Sequence, residues 1–166
     1  MLDKKPRLFI GPMSKEIVDA VVEFSKSTSM PLGLIPSRRQ IEYDGGYVNN
    51  WTTKAFSEYV RNKNKDTLLV RDHGGPGQGA EDDDGLESLE NDISNGFDIL
   101  HIDPWKTVKS IKEGIKKTSD LILECSNIDE NIIFEIGTEE AIYPYTPEQL
   151  EEIIVGTKSA VGDASK

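Results

Sequence analysis

The chain has little cysteine and no long apolar run. Cys125 is the one cysteine, so no internal disulfide can form, and we expect a reducing, cytoplasmic environment. No stretch of 18 apolar residues occurs, which argues against a membrane-spanning helix. The first six residues also lack the apolar segment of a signal peptide. A membrane is therefore not an expected partner.

Positive charge is also scarce. Nineteen Lys and Arg residues stand against 30 Asp and Glu, which gives a net charge of −11. Such a chain repels nucleic acid, so we expect no nucleic-acid partner. Against this background Arg38, Arg39 and Arg71 lie near glycines. Local positive charge in an acidic protein favours a small anionic ligand, such as a phosphate or a carboxylate.

The 166 residues are enough for one domain with a sizeable core, and they alternate between strand and helix patterns. Strands are predicted at residues 7–10, 32–35, 67–71, 98–102 and 131–136. Helices are predicted after Ser14, after Thr52 or Thr53, at 85–95, at 107–125 and from Thr146. Five βα units of this kind predict an α/β fold with a parallel sheet. We expect one domain over residues 1–155 and a flexible tail over residues 156–166.

Two architectures accommodate five βα units. One is a five-stranded doubly wound sheet, and the other is the N-terminal part of a (β/α)₈ TIM barrel. A complete barrel needs about 250 residues, more than this chain offers. Both put functional residues at the carboxyl ends of the strands.

The end of the third predicted strand is the most informative stretch. It combines charged, titratable side chains with the start of a glycine-rich loop: Arg71, Asp72, His73, Gly74 and Gly75. The loop could be a simple turn, could hold an anion with its backbone N–H groups, or could let the backbone approach a ligand closely. No Lys followed by Ser or Thr comes after it, so we do not expect a nucleotide P-loop.

Polar residues also mark the other strand ends. They are Arg38, Arg39 and Gln40 after the second strand, His101 and Asp103 at the fourth, and Glu135 in the fifth. Because strand side chains alternate, we expect His101 and Asp103 to share a face, and Arg71 to share one with His73. A His and a Glu on strand tops can bind a divalent metal beside an Asp that acts as general acid or base. The alternatives are a helix cap or loop hydrogen bond for the Asp-His pair, and a core role for His101.

Four segments together resemble the class II sugar-phosphate aldolases, especially the branch of the tagatose-bisphosphate aldolase non-catalytic subunit and its epimerase-like relatives. Gln40 through Gly45-Gly46-Tyr47 resembles that branch's Gln-x(4)-Gly-Gly-Tyr segment. Asp72-His73 with Gly75-Pro76 resembles Asp-His-x-Gly-Pro. His101-Ile102-Asp103 is similar to His-Leu-Asp, and Glu135-Ile136-Gly137 is similar to the Glu-x-Gly stretch after strand five.

The resemblance implies a metal-dependent aldolase or epimerase that acts on a phosphorylated or acidic sugar through an enediolate. Asp72 would transfer protons, and His73 with Glu135 would bind a divalent metal, zinc or a similar cation. The other residues of these segments would bind substrate: Arg38, Arg39, Gln40, Gly46, Arg71, Gly74, Gly75, His101 and Asp103.

Two alternatives remain at this point. One is a non-catalytic sugar-binding or stabilising subunit of an aldolase complex, and the other is an unrelated five-stranded domain. The family barrel has later strands without a counterpart in this sequence. An open half barrel exposes apolar strand edges, so we expect association, either as a homo-oligomer or with an aldolase partner subunit.

Overall fold

The computed structural model describes residues 8–28, 30–138 and 144–162, in which five strands alternate with five α-helices. The strands are β1 (Phe9–Ile10), β2 (Gly33–Leu34), β3 (Leu68–Gly74), β4 (Ile99–Ile102) and β5 (Ile133–Ile136). The helices are α1 (Lys15–Thr28), α2 (Thr53–Lys63), α3 (Leu86–Ser94), α4 (Ile111–Ile128) and α5 (Pro147–Val161). None of the helices described is both long and apolar enough to span a bilayer.

The strand order separates the two expected architectures. The sheet runs β1-β2-β3-β4-β5, and every neighbouring pair is parallel. A doubly wound sheet reverses its direction of growth at a switch point, whereas this sheet grows in one direction only. Since βα crossovers are right-handed in nearly all proteins, the helices then cover the same face of the sheet. The five units therefore have the winding of part of a TIM barrel, as predicted.

The core lies between the sheet and this layer of helices. Leu69 and Leu100 of the central strands are fully buried and belong to one apolar cluster with Phe56, Leu89 and Ile122 of the helices. Cys125 lies in the same cluster, and burial raises the pKa of its thiol to about 12. The cysteine is therefore a core residue.

Local capping explains where the helices begin. The Thr52 side chain accepts a hydrogen bond from the Ala55 amide at the start of α2, and Thr146 with Gln149 forms a complete capping box at α5. α4 begins later than predicted, because Ser110 is its N-cap and residues 105–107 form a separate 3₁₀ turn. The predicted helix over 107–125 is thus shifted to Ile111–Ile128.

The C-terminal part of the chain also corrects the prediction. Residues 156–161 belong to α5 rather than to a flexible tail, and Thr157 and Val161 are buried. Together with Ile153 they follow one another at intervals of four residues, which places them on one side of the helix. The exposed apolar side chains of Ile154 and Val155, and the small and charged residues after Thr157, hid this pattern. Residues 163–166 of the predicted tail lie outside the described part, and that the chain forms one domain remains a prediction.

Arg71 is a structural residue of this core. Its guanidinium and the carboxylate of Asp92 on α3 are both fully buried and form a two-bonded pair, at 2.7 Å from Nε to Oδ2 and 2.6 Å from Nη2 to Oδ1. Nη1 donates to the carbonyls of Ile41 and Pro36. Burial raises the pKa of Asp92, although the charge of Arg71 opposes the shift.

This placement corrects two expectations. Arg71 faces the helices, so its guanidinium does not reach an anion at the strand ends. It also does not share a face with His73, because the pairing of β3 with β4 shifts between Arg71 and Gly74 and breaks the regular alternation. β3 consequently extends through Asp72 and His73, which were expected to follow it.

The Arg71–Asp92 pair predicts a specific pattern of stabilities. We expect Asp92→Leu to lower the free energy of unfolding by about 3–5 kcal/mol, because it leaves a buried guanidinium without its carboxylate. The double variant Arg71→Met/Asp92→Leu should recover most of this loss, since neither charge remains. Urea unfolding followed by circular dichroism measures both. A double variant no more stable than Asp92→Leu alone would contradict the interpretation.

Candidate functional site

Three titratable side chains converge where β3 and β4 end. Oδ1 of Asp72 lies 3.4 Å from Nδ1 of His101 and 3.7 Å from Nε2 of His73. The two imidazole rings are 5.0 Å apart between centroids. Potential ligand atoms of all three residues lie within 4.8 Å of one another, and each residue is half-buried. The site is thus open to a small ligand yet held by the sheet.

The backbone of His73 makes this convergence possible. Its φ of 49° lies in the left-handed region, which residues other than glycine seldom adopt. The shift in pairing that follows Arg71 turns His73 towards β4. There its backbone N–H donates to Nδ1 of His101 at 3.3 Å. Such strained positions persist where surrounding contacts enforce them, and they concentrate at functional sites.

Asp103 lies behind His73 rather than at the open side of the site. Its Oδ2 is 2.6 Å from Nδ1 of His73, and the carboxylate is fully buried. Gln78 Nε2 donates to the same oxygen at 2.9 Å, and the Trp105 backbone N–H donates to Oδ1. This position differs from the open one expected of a substrate-binding residue, and the substrate-binding role of Asp103 stays a prediction. Its carboxylate is shielded from solvent and forms a hydrogen bond with His73.

Asp72 is ionised under ordinary conditions. Burial of the carboxylate works against ionisation, but the contact with the His101 side chain and the charges of His73, His101 and Arg71 outweigh it. Together they hold the pKa of Asp72 below its usual value. The carboxylate can therefore accept a proton or bind a cation at neutral pH.

Glu135 does not join the cluster. It is the register partner of His101 on β5 and lies on the same face of the sheet, but it is exposed. Among the described residues the group of mutually close ligand atoms consists of Asp72, His73 and His101. Two residues further on, a Cβ at Gly137 would overlap the His101 ring. Gly137 belongs to the Glu-x-Gly stretch of the resemblance, but nothing in the sequence indicated its contact with His101.

The donor set fits a divalent cation. Two imidazoles and one carboxylate are the protein ligands of many catalytic zinc sites. Bonds of about 2.0–2.2 Å in tetrahedral geometry place neighbouring ligand atoms about 3.3–3.6 Å apart. The separations of 3.4 and 3.7 Å around Asp72 are close to this range, and His101 Nδ1 would exchange the His73 backbone N–H that it accepts from for the cation. The residues whose potential ligand atoms lie close together are therefore Asp72, His73 and His101, whereas the sequence paired His73 with Glu135, and metal binding itself stays a prediction.

Arg38 joins the loops that follow β2 and β3. Its Nε donates to Glu42 at 2.6 Å, its Nη2 donates to Asp83 at 2.7 Å, and its Nη1 donates to the Gly75 carbonyl at 2.8 Å. The side chain is almost fully buried. Its charge is thus neutralised inside the protein, and its predicted role in binding an anion stays a prediction. Arg39 is exposed, and its Nε donates to the Gly79 carbonyl.

The remaining predicted residues shape these loops. The Gln40 side chain accepts from the Ser37 amide and donates to Met13, so it organises the turn after β2. Gly46 packs directly on the backbone of Gln40, and Gly74 packs against Leu89. The substrate-binding role predicted for Gln40, Gly46 and Gly74 remains a prediction.

The comparisons with known proteins concern the fold. No protein-family model and no curated protein matches the chain. Solved structures do match. A probable tagatose 6-phosphate kinase from Sinorhizobium meliloti 1021 has a TM-score of 0.79 at 18% identity, over 96% of this chain and 45% of that one.

Two further structures carry related names. A fructose-bisphosphate aldolase from Campylobacter jejuni has a TM-score of 0.66 at 14% identity, over 97% of this chain and 51% of that one. A candidate deoxyribose-phosphate aldolase from Coccidioides immitis has a TM-score of 0.62 at 9% identity, over 93% and 56% of the two chains. This chain therefore shares the fold of sugar-phosphate aldolases and similar proteins, and it spans about half of their length.

Proposed function

We propose that the ends of β3 and β4 form a divalent-cation site for aldolase or epimerase chemistry on a phosphorylated or acidic sugar. The convergence of Asp72, His73 and His101 at one edge of the sheet is the observation that carries this proposal. The substrate class is supported by the names of the structures that share the fold.

Asp72, His73 and His101 would hold the cation, and zinc suits this donor set. When bound, a divalent cation supplies a Lewis acid that polarises a substrate carbonyl and stabilises negative charge on its oxygen. About a third of each of the Asp72 and His73 side chains is exposed, so a small substrate can reach them. His101 is more deeply enclosed, at 13% exposure, and Gly137 leaves the space for its ring.

Asp72 is the residue proposed to move a proton. Its Oδ1 faces the two imidazoles, and its second oxygen belongs to the same ionised carboxylate. A carboxylate within hydrogen-bonding reach of a substrate hydroxyl, or of the C–H bond next to a carbonyl, can act as general base. The positive surroundings that lower its pKa also keep it ionised and ready to accept that proton.

The anionic part of the substrate would meet Arg39, since Arg38 and Arg71 are paired internally. Arg39 lines a cavity of about 480 Å³ between the loops that follow β2 and β3. Asp44 and Glu81 line the same cavity, and Tyr43 and Tyr47 contribute aromatic rings. This mixed lining suits a sugar with many hydroxyl groups and gives a phosphate only limited positive charge.

A second candidate function is a non-catalytic sugar-binding or stabilising subunit. It is favoured by the internal pairing of Arg38 and Arg71, because a complete sugar-phosphate enzyme needs more cationic groups around its ligand. On this proposal the remaining part of the site comes from a second aldolase-like chain.

Thermal unfolding with added Zn²⁺ or Co²⁺ tests the cation site. A free cation concentration of 100 times the dissociation constant stabilises the folded state by about 2.7 kcal/mol, which raises Tm measurably. We expect His73→Ala and His101→Ala to abolish this rise, and Glu135→Gln to retain it, because Glu135 is exposed and outside the cluster. Loss of the rise in Glu135→Gln but not in His101→Ala would restore the pairing implied by the resemblance.

Proton exchange in D₂O tests the chemistry. With Co²⁺ or Zn²⁺ present, we expect at least one phosphorylated or acidic ketose from a panel to gain deuterium next to its carbonyl, as followed by NMR. Asp72→Asn should lower the exchange rate by about 10²–10⁴-fold, because the proton acceptor is removed. Cation binding without exchange on any sugar would favour the non-catalytic subunit, and exchange that appears only with a second chain would identify it.

A further inference from the structure

The glycine-rich loop after β3 folds back over the end of β4. Gly75 has a φ of 123° and lies beside the Asp103 backbone, and Gly77 has a φ of 72°. Both conformations favour glycine, so the loop reverses direction within a few residues. The result is that Gln78 reaches Asp103, where its Nε2 donates to the backbone carbonyl at 3.0 Å and to Oδ2 at 2.9 Å.

Lys106 fixes which end of the Gln78 amide faces Asp103. Its Nζ donates to Oε1 of Gln78 at 2.7 Å, and an ammonium group can only donate. Oε1 is therefore the acceptor for Lys106, and the NH₂ group of Gln78 must point to Asp103. The Gln78 amide therefore has one orientation, because Lys106 can only donate to it and Asp103 accepts from it.

The same reasoning determines the proton on His73. Among the described residues, the other hydrogen-bond partners of the Asp103 carboxylate are donors, namely Gln78 Nε2 and the Trp105 amide. An ionised carboxylate accepts only, so His73 Nδ1 must carry the proton in the 2.6 Å bond. In the neutral ring the lone pair then resides on Nε2, the nitrogen nearer to Asp72.

We propose that Lys106, Gln78 and Asp103 form a chain of positioning residues that fixes the tautomer and orientation of His73. The glycine-rich loop serves to deliver Gln78 to this chain rather than to cradle a phosphate. The inference rests on the proposed function in one respect: the fixed Nε2 lone pair is what would bind the cation. Carboxylates that orient a ligating histidine typically change metal affinity by about 10–100-fold when they are replaced.

Two variants with matched controls test the chain. Asp103→Asn keeps the size but places an NH₂ group against a donor in either orientation. Its control is Asp98→Asn at the opposite end of β4, where the carboxylate binds Arg61 and the Leu69 amide. Lys106→Met removes the hydrogen bond from Lys106 to Gln78. Lys106 is exposed, so the variant should fold. Lys109→Met, at another exposed lysine, is its control.

Two measurements are made on each variant. Long-range ¹H–¹⁵N NMR of the metal-free protein, with the imidazole neutral, shows which nitrogen of His73 carries the proton. Calorimetric titration with Zn²⁺ gives the affinity. We expect the Nδ1–H form in the wild type, a shift towards Nε2–H in Asp103→Asn with affinity reduced roughly 10–100-fold, and a smaller reduction in Lys106→Met. Both controls should match the wild type.

The outcomes separate this inference from the proposed function. A wild-type Nε2–H tautomer, or an Asp103→Asn variant with unchanged tautomer and unchanged affinity, would overturn the positioning chain even if the cation binds. A wild type that binds no cation, but whose His73 tautomer depends on Asp103, would overturn the cation site and support the chain.

Discussion

The interrupted pairing of β3 with β4 is the constraint on which the rest of the site depends. Regular pairing at Val70 and Arg71 gives way to a shifted contact at Gly74. Before the shift, Arg71 enters the helix layer and anchors α3 through Asp92. After it, the chain turns towards β4. This irregularity places Arg71 in a structural ion pair. Asp72 and His73, one and two residues further along the chain, lie at the candidate site instead.

Two of the protein's five arginines act inside the fold. Arg71 pairs with Asp92, and Arg38 pairs with Glu42 and Asp83, so two guanidinium groups hold the layers and loops in place. Burying such charges costs desolvation energy, which the attraction to carboxylates and the extra hydrogen bonds offset only in good geometry. The strand-end site is left with carboxylates and imidazoles, a composition that attracts cations more readily than anions.

Much of the architecture could be predicted from the sequence because it depends on periodic burial. The positions of all five strands and the start of α5 follow from apolar runs and capping residues. Side-chain alternation failed at Arg71, because a shift in strand pairing leaves no trace in the hydrophobic pattern. At Asp103 the alternation held, because the residue lies on the expected side. The side chain is nevertheless covered by Gln78. Only three-dimensional contacts reveal such a cover.

The choice between Glu135 and His101 as cation ligand illustrates the same limit. Both side chains lie at neighbouring register positions on one face of the sheet. The sequence motif favoured the carboxylate, whereas geometry favours the imidazole, because the turned backbone of His73 approaches β4 and not β5.

The space that Gly137 leaves beneath the His101 ring has a consequence for how this protein would diverge. Any side chain at that position would push the imidazole away from Asp72, so the histidine and the glycine can change only together. In distant relatives the presence of both, about 36 residues apart, would serve as a fingerprint of a working site where overall similarity has faded. A relative that keeps the histidine but lacks this glycine would be expected to have a different function.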